Sequence, residues 1–493
     1  MLKKVACFFG YSTNIQHISG ANNKLKTCYG IKVRRFFQRS LIIELYQKMG
    51  ISSFHIGVKD HSQGIFRKMD ILFALLLSPI ANTGQQKNSQ TPNWIKQTLT
   101  AEKDVLYRFI NDYRLRWRSI VYGISCKLIS CMEIKKPSDA CLILDDTDFR
   151  KTGFTMELVS RVWSHVENKA VLGFKGLFLG WCDEKSFMAL DFSMHREKGT
   201  NVKFPYGLKP KQLENLYHKD RPSNSAGAKR VLEADQKKTD VGMSMIRRAL
   251  LRGVPFGYVL ADSWFISGKM ILFILSLPGK HLLGMGKMNG TKYKFLEKDV
   301  TAKELCDKLS RKKKGKWNRT LHMTCIQVNV YLQEVPVCLF FYRNTKKGPW
   351  HFLVSTNLEL TPLKAYQLYA RRWNIEVYFK EVRQFFGMDD CHSRDFDALI
   401  ARTSVSMIAY NMFSIAKRLN SYETMGDLFR EVAGQMTELA LSDRIWTVIL
   451  ELLEFVSETL EIDFASLIQS LMQKGDPNSK LLRIINYSSA RAA

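Results

Sequence analysis

Two short apolar runs end in carboxylates. Cys141-Leu-Ile-Leu144 leads into Asp145-Asp146, and Gly257-Tyr-Val-Leu-Ala261 leads into Asp262. Runs of this length and texture read as buried strands, and in open mixed sheets ligands gather at the carboxyl ends of such strands. Two of them side by side would bring two acids within reach of a pair of divalent cations. That chemistry suits attack on a phosphodiester: the substrate is already anionic, and two ions about 3.5–4 Å apart stabilise the entering and the leaving oxygen. Mg²⁺ takes oxygen ligands and keeps several waters, so two or three carboxylates suffice. Either site alone reads equally as a strand-end cap or turn.

A third set of residues supplies what the strands lack. Tyr369, Arg372, Glu376, Lys380 and Arg383 follow one another at gaps of three and four. On a helix these side chains line one face. There Glu376 would hold metal, while Arg372, Lys380 and Arg383 would take phosphate oxygens. The competing reading is a row of ordinary surface ion pairs, such as Glu376 with Lys380. Asp145 and Asp146 alternate across a strand, so only one can face the metals.

The elements needed to position these groups can be read around them. From Gly64 to about Cys131 the pattern is mostly helical, with Phe66, Met69, Phe73 and Leu76 on one stripe and Tyr107, Ile110, Tyr113 and Trp117 on a second. Val171 to Trp181 and Ser186 to His195 read as strands beside the Cys141 run. Residues 196–240 are polar and rich in Gly, Pro and Ser, and read mostly as loop. Val241 to Leu251 and Gly268 to Leu277 read as helices. From His281 to Asn357 the texture is strand-like, notably Leu321 to Tyr331 and Val335 to Tyr342, interrupted by the basic stretches Arg311 to Trp317 and Arg343 to Trp350. Thr361-Pro362 caps a helix that the spacing predicts to run to Phe386. Helices are expected from there to the end, with a stripe at Ile445, Ile449, Leu452, Leu453 and Val456.

Composition narrows the partners. The chain has 493 residues, 46% of them apolar, enough for a substantial core. Its 74 Lys and Arg against 46 Asp and Glu leave a formal charge of +28, which points to a polyanion, nucleic acid before an anionic membrane surface. The charge is regional: residues 1–100 hold 14 basic and 3 acidic side chains, whereas the chain from Ser421 holds 6 and 11. The amino-terminal part is therefore the expected phosphate-facing region. The ten cysteines form no Cys-x-x-Cys pair, which argues against a disulfide framework or a structural zinc site and for reduced, cytosolic thiols. The apolar run Ile71 to Ile80 is too short to span a bilayer and contains Pro79. No clean secretory signal precedes it.

Taken together, Tyr369-Ala-Arg-Arg372-Trp-Asn-Ile-Glu376-Val-Tyr-Phe-Lys380, Leu144-Asp-Asp-Thr147 and Val259-Leu-Ala-Asp262 resemble the signature segments of DDE transposases from bacterial insertion sequences, the group often called insertion-sequence family four. The likeness covers about Asp145 to Asn411. It implies an α/β, RNase H-like mixed-sheet core over 136–280 and 359–415 with a β-rich insertion over 281–358. Around this core would lie a basic helical DNA-binding region over 1–135 and a helical region over 416–493 with a role in dimerisation. It further implies catalytic, metal-binding carboxylates at Asp145 or Asp146, Asp262 and Glu376. The family's Asp-x-Thr pattern favours Asp145, and alignment through the acidic pair favours Asp146. Mg²⁺, or Mn²⁺ in its place, would be the cofactor. The partners would be terminal inverted repeats and target DNA, held by a homodimer in the bacterial cytoplasm at the nucleoid. Excision, often through a DNA hairpin, would be followed by strand transfer. Tyr369, Arg372, Lys380 and Arg383 would contact DNA; Arg383 stands where the family has Lys, and a guanidinium clamps phosphate as well. Trp350 lies nearest the place of the family's base-holding tryptophan and reads also as a core or edge-strand residue. A nuclease or resolvase without strand transfer and an inactive DNA-binding derivative are the alternatives.

Overall fold

The strand that ends in the acidic pair is the hub of the molecule. In the computed structural model, which describes residues 68–81, 103–345, 348–420 and 422–434, β1 (Cys141–Arg150) begins with four residues that water does not reach on either face. Such two-sided burial belongs to central strands covered by helices on both sides. β1 has antiparallel β3 (Lys169–Cys182) on one side and parallel β5 (Tyr258–Ala261) on the other. β4 (Phe187–His195) and the short β2 (Ser160–Ser164) both pair with β3, and β6 (His281–Met285) lies parallel to β5. The core order is thus β4-β3-β1-β5-β6, with β3 alone running opposite to the other four. This order, with helices in the crossovers, is the RNase H-like arrangement, as the sequence led us to expect.

Helices make the crossovers between the parallel strands. From β4 the chain passes through α4 (Ala226–Glu233) and α5 (Lys238–Leu251) before entering β5, and α6 (Gly268–Leu275) joins β5 to β6. Before β1 come α1 (Lys68–Ala81), α2 (Lys103–Ile110) and α3 (Trp117–Ser130). After β6 the sheet is extended by β7 (Lys292–Phe295), β8 (Lys298–Thr301), β9 (Lys316–Asn318), β10 (Met323–Leu332), β11 (Val335–Arg343) and β12 (His351–Ser355). β12 hydrogen-bonds antiparallel to β6, so β7 to β12 continue the core sheet as one twelve-stranded array of the described residues. The chain then forms α8 (Pro362–Ala370), α9 (Trp373–Phe386) and α10 (Phe396–Asn420).

Several elements differ from the sequence reading. Within the region read as loop, α4 forms behind Ser225, whose side chain accepts the Ala228 amide. Within the strand-rich insertion, α7 (Ala302–Arg311) forms behind the capping box of Thr301 and Glu304. The single helix expected from 361 to 386 is two helices. Between them the amides of Arg371, Arg372, Asn374 and Ile375 each bond three residues back, tightening the backbone by one turn. No Gly or Pro causes this. The side chains of Arg371 and Arg372 are instead drawn to the Asp139 carbonyl and to Asp145.

The long α10 closes the edge of the core. The Asn411 side chain accepts from the Ala189 amide and donates to the Ala189 carbonyl, satisfying both groups beside the irregularity where β4 slips against β3. Among the described residues no helix is long and apolar enough to cross a membrane. The regions expected to carry the basic amino-terminal contacts (1–67 and 82–102) and the stripe from Ile445 lie outside the described residues.

Candidate active site

Register fixes the first two acids side by side. Leu144 on β1 pairs with Ala261 on β5, and the next residue on each strand is Asp145 and Asp262. In-register neighbours on parallel strands, about 4.8 Å apart, present side chains to the same face. A close Gly257 approach makes this alignment possible: a Cβ there would lie 1.9 Å from the Ser138 carbonyl oxygen. One Asp262 oxygen accepts the Trp264 amide at 2.9 Å, which fixes the carboxylate at the strand end.

Arg372 brings in the third acid. Its guanidinium donates to Asp145 Oδ2 at 2.8 Å and to Glu376 Oε1 at 2.5 Å. One planar fork thus links β1 to the first turn of α9. Burial pushes the Asp145 carboxyl up to about 7; Arg372 opposes that shift, while Asp262 and Asp146 add to it. Burial likewise pushes the Tyr369 hydroxyl up to about 12, with Asp262 and Asp145 again among the charges it feels. The Arg372 guanidinium holds its proton more firmly, because Tyr369, Asp145 and Glu376 outweigh its burial. Tyr369, Arg372, Asp145, Asp262 and Glu376 therefore share one electrostatic environment.

The acidic pair separates. Asp145 faces Arg372, whereas Asp146 turns to the other side of β1 and pairs with Lys238 at the start of α5. The Lys238 ammonium also lies 4.5 Å over the Trp264 ring. Neither Lys238 nor Trp264 stood out in the sequence. Trp264 carried a signal, two residues after a strand-end acid; Lys238 carried none.

The remaining candidates are dispersed. Arg383 is held by the Thr147 hydroxyl, the Asp148 carbonyl and Asp389, so its guanidinium is fixed along β1. Lys380 is exposed on α9. Trp350, just before β12, has the Arg343 guanidinium 4.4 Å over its ring and lies in the inserted part of the sheet.

A divalent cation fits the donors in chemistry. All three are carboxylates, as hard cations prefer, and Asp145, raised mainly by burial with a smaller contribution from Asp262, is a carboxyl whose ionised form a cation would stabilise. Among the described residues, however, no three His, Cys, Asp or Glu stand in ligating geometry together. The bridge from Arg372 holds Asp145 and Glu376 instead.

The strand order and its acid-tipped strands define an RNase H-like α/β protein. Two family models match this chain: "DDE superfamily endonuclease" over residues 70–281 and "Transposase DDE domain" over residues 234–412. The first spans Asp145 and Asp262, the second Asp262 and Glu376, and together they support a DDE transposase, an enzyme class that depends on divalent metal. No curated protein matches the chain. Among solved structures, the Drosophila P element transposase strand transfer complex is similar at 9% identity over 95% of this chain and 98% of that one, with a TM-score of 0.21.

Proposed function

We propose that this chain is a DNA transposase of the insertion-sequence type, which binds transposon ends, cleaves the DNA and joins the 3′ ends to target DNA. The observation that carries the proposal is the Arg372 bridge from Asp145 to Glu376 beside the in-register Asp262. Three carboxylates more than a hundred residues apart in sequence have no structural need to be gathered on a protein this basic. Asp145, Asp262 and Glu376 would hold Mg²⁺ or Mn²⁺, which when bound would activate the attacking oxygen and stabilise the leaving one.

The chain's own residues have distinct parts in this reading. Arg372 holds Asp145 and Glu376 together when no cation does, and turns to the DNA strand when one binds. Tyr369 packs against that guanidinium and orients it. Lys380 is free to meet phosphate, and the fixed Arg383 offers a second contact farther along β1. Asp146, paired with Lys238, supports β1 from the opposite side, and Trp350 under Arg343 stiffens the insertion. Two copies would be required to hold two DNA ends.

The test combines nicking and joining. Purified protein is given terminal-repeat DNA with Mg²⁺, and separately a 3′-hydroxyl end with target DNA. Asp145→Ala, Asp262→Ala and Glu376→Ala should each lose both reactions, and Asp146→Asn should retain them. Nicking without joining would mark a nuclease or resolvase. Nicking that survives Asp145→Ala would defeat the assignment of the site, and DNA binding with no metal-dependent cutting would mark an inactive derivative.

A further inference from the structure

Away from the carboxylates, a buried ion cluster carries more positive than negative charge. Asp191, wholly buried on β4, accepts from Arg118 at 2.8 Å and from Arg248 at 2.9 Å. Glu233 accepts from Arg118 at 2.8 Å and lies 3.3 Å from Arg230. Three guanidiniums thus share two carboxylates. A buried charge without its counterion is costly, so a surplus cation here would be stabilised by an added anion.

The surplus falls on Arg230. It is 7% exposed, and its Nη1 donates to the Phe192 carbonyl, but its Nη2 is buried with no hydrogen-bond partner. Burial first, and Arg118 next, pull its guanidinium down to about 10. Trp117, 3% exposed at the start of α3, likewise has a buried indole N–H with no partner. Both residues line the same cavity of about 220 Å³. An orphaned donor of this kind calls for an explanation, and two on one cavity call for a shared acceptor.

The rest of the lining has the matching charge. Arg116 and Lys229 lie at the cavity, exposed and without side-chain partners among the described residues. Its two acids are engaged elsewhere, Asp112 by Arg114 and Asp397 by Lys219 and Arg221. The start of α4 also borders the cavity, but two of its first amides are engaged: Gly227 donates to the Tyr113 carbonyl and Ala228 to Ser225. The side chains therefore carry the site.

We infer that this cavity binds a phosphate group, with Arg230 and the Trp117 indole as buried donors and Arg116 and Lys229 as the outer clamp. Guanidinium and ammonium groups around a neutral donor favour a compact oxyanion with several acceptor oxygens. A backbone phosphate of DNA and a free phosphate or nucleotide share this chemistry. The site uses none of the residues assigned to metal or to the DNA strand above.

The probe is pyrophosphate, titrated calorimetrically into the full chain at fixed ionic strength with EDTA, so that no metal-borne phosphate reaches the carboxylates. We expect saturable binding that weakens at least tenfold in the Arg116→Ala, Lys229→Ala double variant and at least threefold in Trp117→Phe. The double variant alters only exposed side chains, so its urea unfolding should match wild type. Asp145→Ala should leave pyrophosphate binding unchanged, which separates this site from the carboxylates. Displacement of pyrophosphate by duplex DNA would assign the cavity to a backbone phosphate, and simultaneous binding would assign it to a free one. No saturable binding, or affinity unchanged in both cavity variants, would overturn the proposal.

Discussion

Arg372 is the residue whose removal says most about the carboxylate site. Arg372→Met keeps much of the side-chain bulk and deletes both charged hydrogen bonds. A hydrogen bond to a charged group contributes about 1.5–3 kcal/mol. The bond to Asp145 is well buried, with side chains 18% and 15% exposed, whereas Glu376 is 34% exposed and its share must be discounted for solvent screening. We therefore expect a loss of about 2–4 kcal/mol in urea unfolding without metal, of which most is the cost of leaving Asp145 beside Asp262 without a cation. Arg372→Lys should recover only part of it, because an ammonium cannot fork between two carboxylates.

The same variant predicts a response to metal. In wild type a divalent cation must compete with the guanidinium for Asp145 and Glu376; in Arg372→Met it need not. Ligand that binds only the folded state stabilises by RT ln(1 + [L]/Kd), so a tenfold tighter site adds about 1.4 kcal/mol at saturating Mn²⁺. Urea unfolding with and without Mn²⁺ at constant ionic strength should show a larger Mn²⁺ increment in Arg372→Met than in wild type, even if the variant has lost activity. Equal increments would mean that the cation does not use the carboxylates that Arg372 bridges, and the proposed site would fall with them.

Three further outcomes follow from the geometry. His195, held by Ser193 and the Gln236 carbonyl, is depressed to about 4 by burial; its contribution to stability is present above the ordinary value of 6.5 and lost as pH falls towards 4, so by linkage the gap in urea stability between wild type and His195→Gln should shrink by about 3 kcal/mol over that window. Gly257→Ala would force a Cβ against the Ser138 carbonyl and should cost about 1–3 kcal/mol or more in urea unfolding while displacing Asp262, and an unchanged midpoint would contradict the close approach. Lys380→Ala should leave stability alone and lower the slope of log affinity for DNA against log salt by about one; an unaltered slope would remove Lys380 from the phosphate contacts.

What could be read from the residues was what local pattern encodes. The runs before Asp145 and Asp262 are apolar on both faces because their strands are central, and that two-sided burial is why they stood out. It is also why the sequence left Asp145 and Asp146 open: with Cys141 to Leu144 buried throughout, no alternation marks which face looks at the site. Only the neighbours settle the direction, Arg372 on one side and Lys238 on the other. The turn between α8 and α9 was hidden for a related reason. Its residues suit a helix, and the side-chain bonds that tighten it reach Asp139 and Asp145, more than two hundred residues away. By contrast, α7 and α4 had local signals in Thr301 with Glu304 and in Ser225, which the basic, polar texture around them outweighed. The phosphate cavity had no local signal at all. Its donors, Trp117 and Arg230, are ordinary in their own segments and become unusual only where α3 and α4 meet and two buried N–H groups are left without acceptors.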